Sequence, residues 1–145
     1  MMGLIGIFVS GVMLAAPAFS DEVTEFSIDD VITSVRAKEA LQDDIAFSYA
    51  GQEYSASANI LLEATALQTI NGFLKSDRNA CELAFIAVMT ELKSIAIANG
   101  GNALVDIRSS LSADSVERED GTYGCISQTT VAEVSLTASV AILAD

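Results

Sequence analysis

Residues 76–107, SDRNACELAFIAVMTELKSIAIANGGNALVDI, decide the fold. Ser76 or Asp77 can cap a helix by accepting a hydrogen bond from a first-turn backbone N–H. Behind that cap, Cys81, Ala84, Phe85, Val88, Met89, Leu92, Ile95 and Ala96 recur at helical spacing and make one apolar stripe. Glu82, Thr90 and Lys93 mark the opposite side, but Ile86 and Ile97 fall close to it and narrow the polar face. Either a loop or neighbouring strand covers that pair, or Ile86 and Ile97 form a subunit contact. Gly100-Gly101 then stops the helix, because the residue past a C-cap commonly takes a left-handed conformation that glycine adopts cheaply. Ala103 to Ser109 follows as a buried strand.

Outward from that unit, the sequence predicts strands. From Ile126 to Leu143, Ala132, Val134, Leu136, Ala138, Val140 and Ile142 alternate with Val131, Glu133, Ser135, Thr137 and Ser139. That is the pattern of one long antiparallel strand or two consecutive ones with one face on the core. Upstream, Ile45–Tyr49 alternates in strand fashion, Ala50-Gly51-Gln52 turns, and Ile60 to Ile70 is read as extended because Asn71-Gly72 punctuates it. Its segment LLEATAL is also helical by propensity. A short helix is expected from Asp29 to Leu41, with Ser27 and Asp30 suited to a capping box. Ser110 to Gly124, SLSADSVEREDGTYG, reads as a mobile hairpin connection. The expected fold class is α+β: a mostly antiparallel sheet packed against one long helix, plus a short N-terminal helix.

The first twenty residues carry no charge and hold apolar runs at Leu4–Val9 and Val12–Ala16. They predict a signal peptide, 1–20, with Ala18 and Ser20 placed for cleavage before Asp21 and cleavage after Ala18 as a second option. Gly11 and Pro17 interrupt the run, which falls short of the roughly 20 apolar residues of a membrane span. Residues 21–145 then form a single domain, in the periplasm or outside the cell. No cysteine precedes Cys81, so no thiol there could take a lipid anchor.

With 20 acidic and 7 basic residues the net charge is −13, which argues against nucleic acid and makes any charged partner cationic. In an oxidising compartment the two cysteines, Cys81 and Cys125, are expected to form a disulfide. A redox pair is the alternative, without the Cys-x-x-Cys spacing or a histidine to support it. The absence of histidine removes His-dependent hydrolytic triads. The acid pairs Asp29-Asp30, Asp43-Asp44 and Glu119-Asp120 are adjacent in sequence, so their side chains diverge and none forms an acid/base dyad by itself. Tyr49, Tyr54 and Tyr123 could line a groove, or cap sheet edges or the core.

The elements GFLKSD, Ala-Cys, an Ala-rich helix, GGNALVDI and a later Gly-Cys before an alternating strand resemble a group of small exported bacterial proteins. That group commonly carries the label "excinuclease ATPase subunit". Gly72 to Leu143 also resembles the YbjQ-like domain family, named for heavy-metal binding, and the RcsF family of stress-sensor lipoproteins. The ATPase label fails on chemistry, because no GxxxxGK[ST] phosphate cradle occurs. A transition-metal site would need converging His and Cys ligands. Only a hard cation remains conceivable, on Asp114, Glu117, Glu119 and Asp120, but these lack EF-hand spacing, and a solvated loop is the better reading. The RcsF and YbjQ-like resemblance implies an envelope binding or sensing module without cofactor, acting on a protein partner or by self-association. The chain departs from RcsF in lacking an acylated cysteine and a second cysteine pair. The expected function is therefore a non-enzymatic interaction module, with a small-ligand or metal-ion binder as the alternative.

Overall fold

The computed structural model describes residues 23–42, 45–54, 57–73, 75–111, 121–128 and 130–144. The expected leader, the acidic candidates Asp114, Glu117, Glu119 and Asp120, and the pairs Asp43-Asp44 and Glu119-Asp120 lie outside the described residues. In chain order the elements are β1 (Val23–Ser27), α1 (Ile28–Ile32), α2 (Val35–Leu41), β2 (Ala46–Tyr49), β3 (Asn59–Asn71), α3 (Asp77–Ala98), β4 (Ala103–Ser109), β5 (Thr122–Ser127) and β6 (Val131–Ile142).

Strand β6 is the spine of the sheet. Along one edge it pairs antiparallel with β3 from Asn59↔Ile142 to Asn71↔Val131. Along the other edge it pairs first with β5, at Ile126↔Glu133 and Ser127↔Ala132, and then with β4, from Ser109↔Leu136 to Ala103↔Ala141. β4 and β5 thus run the same way, end to end, on one edge of β6. Outside them lie β2, parallel to β4, and β1, antiparallel to β5. The alternation along β6 is physically necessary: Ala132, Val134, Leu136, Ala138 and Val140 all face the core with no exposure. Ser135 and Thr137 on the other face are also buried, with Ser135 Oγ 2.6 Å from Ser110 Oγ and Thr137 Oγ1 2.8 Å from Thr65 Oγ1.

The long helix forms where the apolar spacing places it. Ser76 is the N-cap, its hydroxyl accepting from Asn79 N at 3.1 Å. Cys81, Ala84, Phe85, Val88, Met89, Leu92 and Ala96 are fully buried, and each large apolar side chain among them contributes about 1.5–3 kcal/mol of burial. The helix closes in a double hydrogen bond: Gly101 N donates to Ala96 O at 2.9 Å and Gly100 N to Ile97 O at 3.1 Å, with Gly100 at φ 79°. Its other side is covered by α1 and α2, whose Ile28, Val31, Ala37 and Leu41 join the same core. Lys93 Nζ donates to the Leu41 carbonyl at the end of α2, a cation placed against a helix C-terminus.

Several expectations need correcting. The fold is not an α+β layer of a mostly antiparallel sheet packed against one long helix: 44% of the described residues are in strands against 32% in helices, and the sheet curls into a half-barrel. The sheet is also mixed, since β2 and β4 are parallel. The expected helix from Asp29 to Leu41 is two, because Ser34 interrupts it and caps α2 by accepting from Ala37 N at 3.2 Å. β1 is absent from the sequence-based expectation, because Val23–Ser27 does not alternate: its apolar residues Val23 and Phe26 are three apart. The Ser110–Gly124 segment does not join a hairpin, since β4 and β5 both pair with β6 and not with each other. Ile86 is 6% exposed and Ile97 53% exposed, so the two make no common contact surface; the narrow polar face exists because α1 and α2 cover it. The extended reading of residues 60–70 agrees with β3, where cross-strand pairing with β6 outweighs helical propensity.

A Cβ on Gly101 would stand 2.6 Å from Val140 Cγ1 and 3.1 Å from the Ala141 carbonyl oxygen. Gly101→Ala should therefore lower unfolding free energy in urea by about 1–3 kcal/mol, the usual cost of overpacking; an unchanged midpoint would show that the close approach of helix end and sheet is not as described. Cys81 and Cys125 are disulfide-bonded across a sequence separation of 44. Replacing both with Ala should cost up to roughly 4 kcal/mol by the chain-entropy relation, measured by thermal unfolding of both forms under oxidising conditions.

Candidate functional site

The seam between α3 and β5 is built from matched spacings. Cys81 and Phe85 lie one turn apart on α3, and Tyr123 and Cys125 share one face of β5. Cys81 bonds Cys125 while the Phe85 and Tyr123 rings meet with centroids 4.5 Å apart. Phe26 of β1 reaches Tyr123 from the other side at 5.8 Å.

At the solvent end of this seam is a cavity of about 230 Å³ whose walls include Glu25, Phe26, Asp30, Arg78, Glu82 and Tyr123. Arg78, on the first turn of α3, bridges Asp30 at 3.8 Å and Glu82 at 3.9 Å, and its side chain is 66% exposed. Below it Tyr123 is fully buried, and its hydroxyl has no hydrogen-bond partner among the described residues. Burial, and then the Glu82 carboxylate, raise the Tyr123 pKa above its ordinary 10.0, against a smaller lowering by Arg78. A buried phenol without a partner is costly, by about 1–3 kcal/mol, and such groups in a native fold call for an explanation.

A second feature is the free edge of β3. β3 pairs only with β6 among the described residues, so its outer backbone groups over thirteen residues have no strand beside them. Edge strands are usually short or guarded by charge, proline or bulges. Here the guards sit at one end: a register shift between Ile60 and Leu62, and Glu63 held by Arg108 at 2.8 Å. From Ala64 to Asn71 there is no charge, proline or glycine. Leu67 is 51% exposed in the middle of this stretch and Phe73 60% exposed beyond it, beside an open apolar hollow lined by Ile70, Phe73 and Val131.

The remaining sequence candidates are scattered. Tyr49 donates to Asp29 at 3.5 Å and Tyr54 to Asp106 at 3.3 Å, and the Asp106 charge raises the Tyr54 pKa. The three tyrosines therefore line no common groove. Asp29 and Asp30 diverge as expected, one toward Tyr49 and the other toward Arg78. Among the described residues no group of three or more His, Cys, Asp or Glu is placed to hold a metal ion. Neither the β3 edge nor the Tyr123 cavity was anticipated. The cavity's trace in the sequence is the pairing of spacings, Cys81 with Phe85 and Tyr123 with Cys125; the edge leaves none, because a strand's neighbours are set elsewhere in the chain.

No protein-family profile matches the chain, and no curated protein matches its sequence. In structure it is similar to a DUF74-family protein of unknown function from Pediococcus pentosaceus, with a TM-score of 0.45 and 12% identity, covering 69% of this chain and 98% of that one. No helix among the described residues is long and apolar enough to cross a membrane.

Tyr123→Phe should stabilise the ligand-free protein by about 1 kcal/mol, because it removes an unpartnered buried hydroxyl and keeps the ring packing. In the wild type, the folded pKa of Tyr123 lies above that of an unfolded phenol, about 10. This group therefore leaves stability unchanged below that pH and lowers it as pH rises through about 10 toward the folded value. Alkaline titration should show part of the tyrosinate absorbance developing only as circular dichroism is lost. Complete ionisation of the three tyrosines with the fold intact would contradict the burial of Tyr123.

Proposed function

We propose that this protein is an exported, non-enzymatic interaction module that takes up an extended, basic segment of a partner protein along β3. The observation that carries this reading is the long outer edge of β3, unpaired among the described residues and uncharged from Ala64 to Asn71, with Leu67 exposed within it and Phe73 exposed beyond it. Adding a strand to such an edge supplies main-chain hydrogen bonds for affinity, and side-chain pockets at alternate positions supply selectivity. The hollow beside Phe73 would receive an apolar side chain.

The net charge of −13 favours a cationic partner and opposes pairing of two copies, which would bring like charges together. Export is supported by the apolar leader and by the disulfide, which persists in oxidising compartments. The resemblance to the RcsF and YbjQ-like families supports binding over catalysis.

Titrating the isotope-labelled protein with a ten-residue peptide of alternating valine and lysine should shift amide resonances of residues 64–71 and slow their hydrogen exchange. Leu67→Asn, which removes the apolar side chain without adding charge, should weaken that binding several-fold, and added salt should weaken it further. Shifts confined to other strands, or a dimer formed through β3 in light scattering, would overturn the reading. Amino-terminal sequencing of the exported protein should begin at Asp21; an intact leader on protein outside the cytoplasm would remove the export half of the proposal.

A further inference from the structure

The Tyr123 cavity is separate from the β3 edge and rests on different observations. Its walls carry the carboxylates of Glu25, Asp30 and Glu82 against the one guanidinium of Arg78, so the lining is net negative. Its floor is aromatic, from Phe26 and Tyr123. Its volume of about 230 Å³ lies below the ordinary range for drug-sized ligands, roughly 300–1,000 Å³. The carboxylates are not gathered as they would be around a metal ion. Spread carboxylates over an aromatic surface suit an organic cation, held by charge-assisted hydrogen bonds and by the ring faces.

The place that cation would take is already held by a weakly tethered one. The Arg78 guanidinium reaches Asp30 and Glu82 only at 3.8 and 3.9 Å, beyond ordinary hydrogen-bond length, on a mostly exposed side chain. Under it, the unpartnered Tyr123 oxygen has an unused acceptor and an unused donor. An ammonium carries three donors on a compact head, and could meet Glu82, Asp30 and the phenol oxygen together once the guanidinium swings out.

We propose that this cavity binds a primary alkylammonium group, with Arg78 as a resident plug that the ligand displaces, Glu82 as its chief counter-charge and the buried Tyr123 hydroxyl as a hydrogen-bond partner. The role assigned to Arg78 gives the proposal a definite sign. For a cationic ligand, removing Arg78 takes away the competitor that bridges Asp30 and Glu82, so affinity rises. For an anionic ligand, the same change would abolish binding.

The test is calorimetric titration of the full-length exported protein with two probes, 1,5-diaminopentane and Nα-acetyl-lysine methylamide, at neutral pH and low salt. Binding of the diamine alone identifies a free amine as the natural source, and binding of both identifies a lysine side chain as an equal fit; either supports the alkylammonium site. Arg78→Gln should tighten binding several-fold, while Glu82→Gln and Tyr123→Phe should each weaken it about tenfold. Tyr123→Phe keeps the packing, so a melting temperature of the ligand-free protein that is raised or unchanged, together with lost affinity, separates binding from folding. Lost affinity in Arg78→Gln, affinities unaltered by both other substitutions, or no heat with either probe at millimolar concentration would overturn the assignment. None of these results depends on whether β3 takes up a peptide.

Discussion

The attachment of α3 to β5 is the constraint on which the rest of the structure depends. Four residues along a helix rise about 6 Å, and two residues along a strand rise about 6.6 Å. Cys81 and Phe85 can therefore lie opposite Cys125 and Tyr123 in register, one contact covalent and one aromatic. Once this seam is fixed, the buried stripe of α3 lies against β3 and β6, and the helix end at Gly101 comes down onto Val140. The rear of the helix is then available to α1 and α2. A slip of one residue on β5 would turn Tyr123 and Cys125 to the other face of the strand and undo both contacts.

The same seam creates a polar anomaly. Tyr123 is carried into the core because its position on β5 is tied to that of Cys125, and its hydroxyl arrives where no described residue meets it. Phe would pack equally well there and leave nothing unsatisfied. Tyr123 lines an acid-walled cavity together with Arg78 and Glu82, which gives the destabilising group a chemical context. Elsewhere the buried hydroxyls of Ser135 and Thr137 meet Ser110 and Thr65, while Ser48 Oγ shares with Tyr123 the lack of a partner among the described residues.

The two surface features divide the molecule. β3 lies on one side of the sheet, where one long strand pairs with β6 throughout and has no further strand at its far edge among the described residues. The cavity belongs to the other side, where β1, α1, the start of α3 and β5 supply its walls. An apolar edge and an acidic hollow answer to different chemistry: extended backbone for the first, a compact cation for the second. Both agree with a strongly acidic chain whose attraction is for positive partners.

Local patterns alone determined a good deal of this protein. The cap at Ser76, the stripe from Cys81 to Ala96, the glycine stop and the extent of β4 all follow from interactions within a few residues, which any chain of this composition would make. The alternation in β6 likewise reports its buried face without reference to a partner. Tertiary structure decided the rest. Ile86 is covered because α1 and α2 return to the helix, and Ser34 breaks a stretch that periodicity joins. The order of strands, the parallel pair and the curl that make the domain mostly β arise from long-range pairing, where one strand cannot specify which edge it meets. The cavity is of the same kind: its acids and its arginine come from α1, α3 and β1, and only the folded chain puts them around one tyrosine.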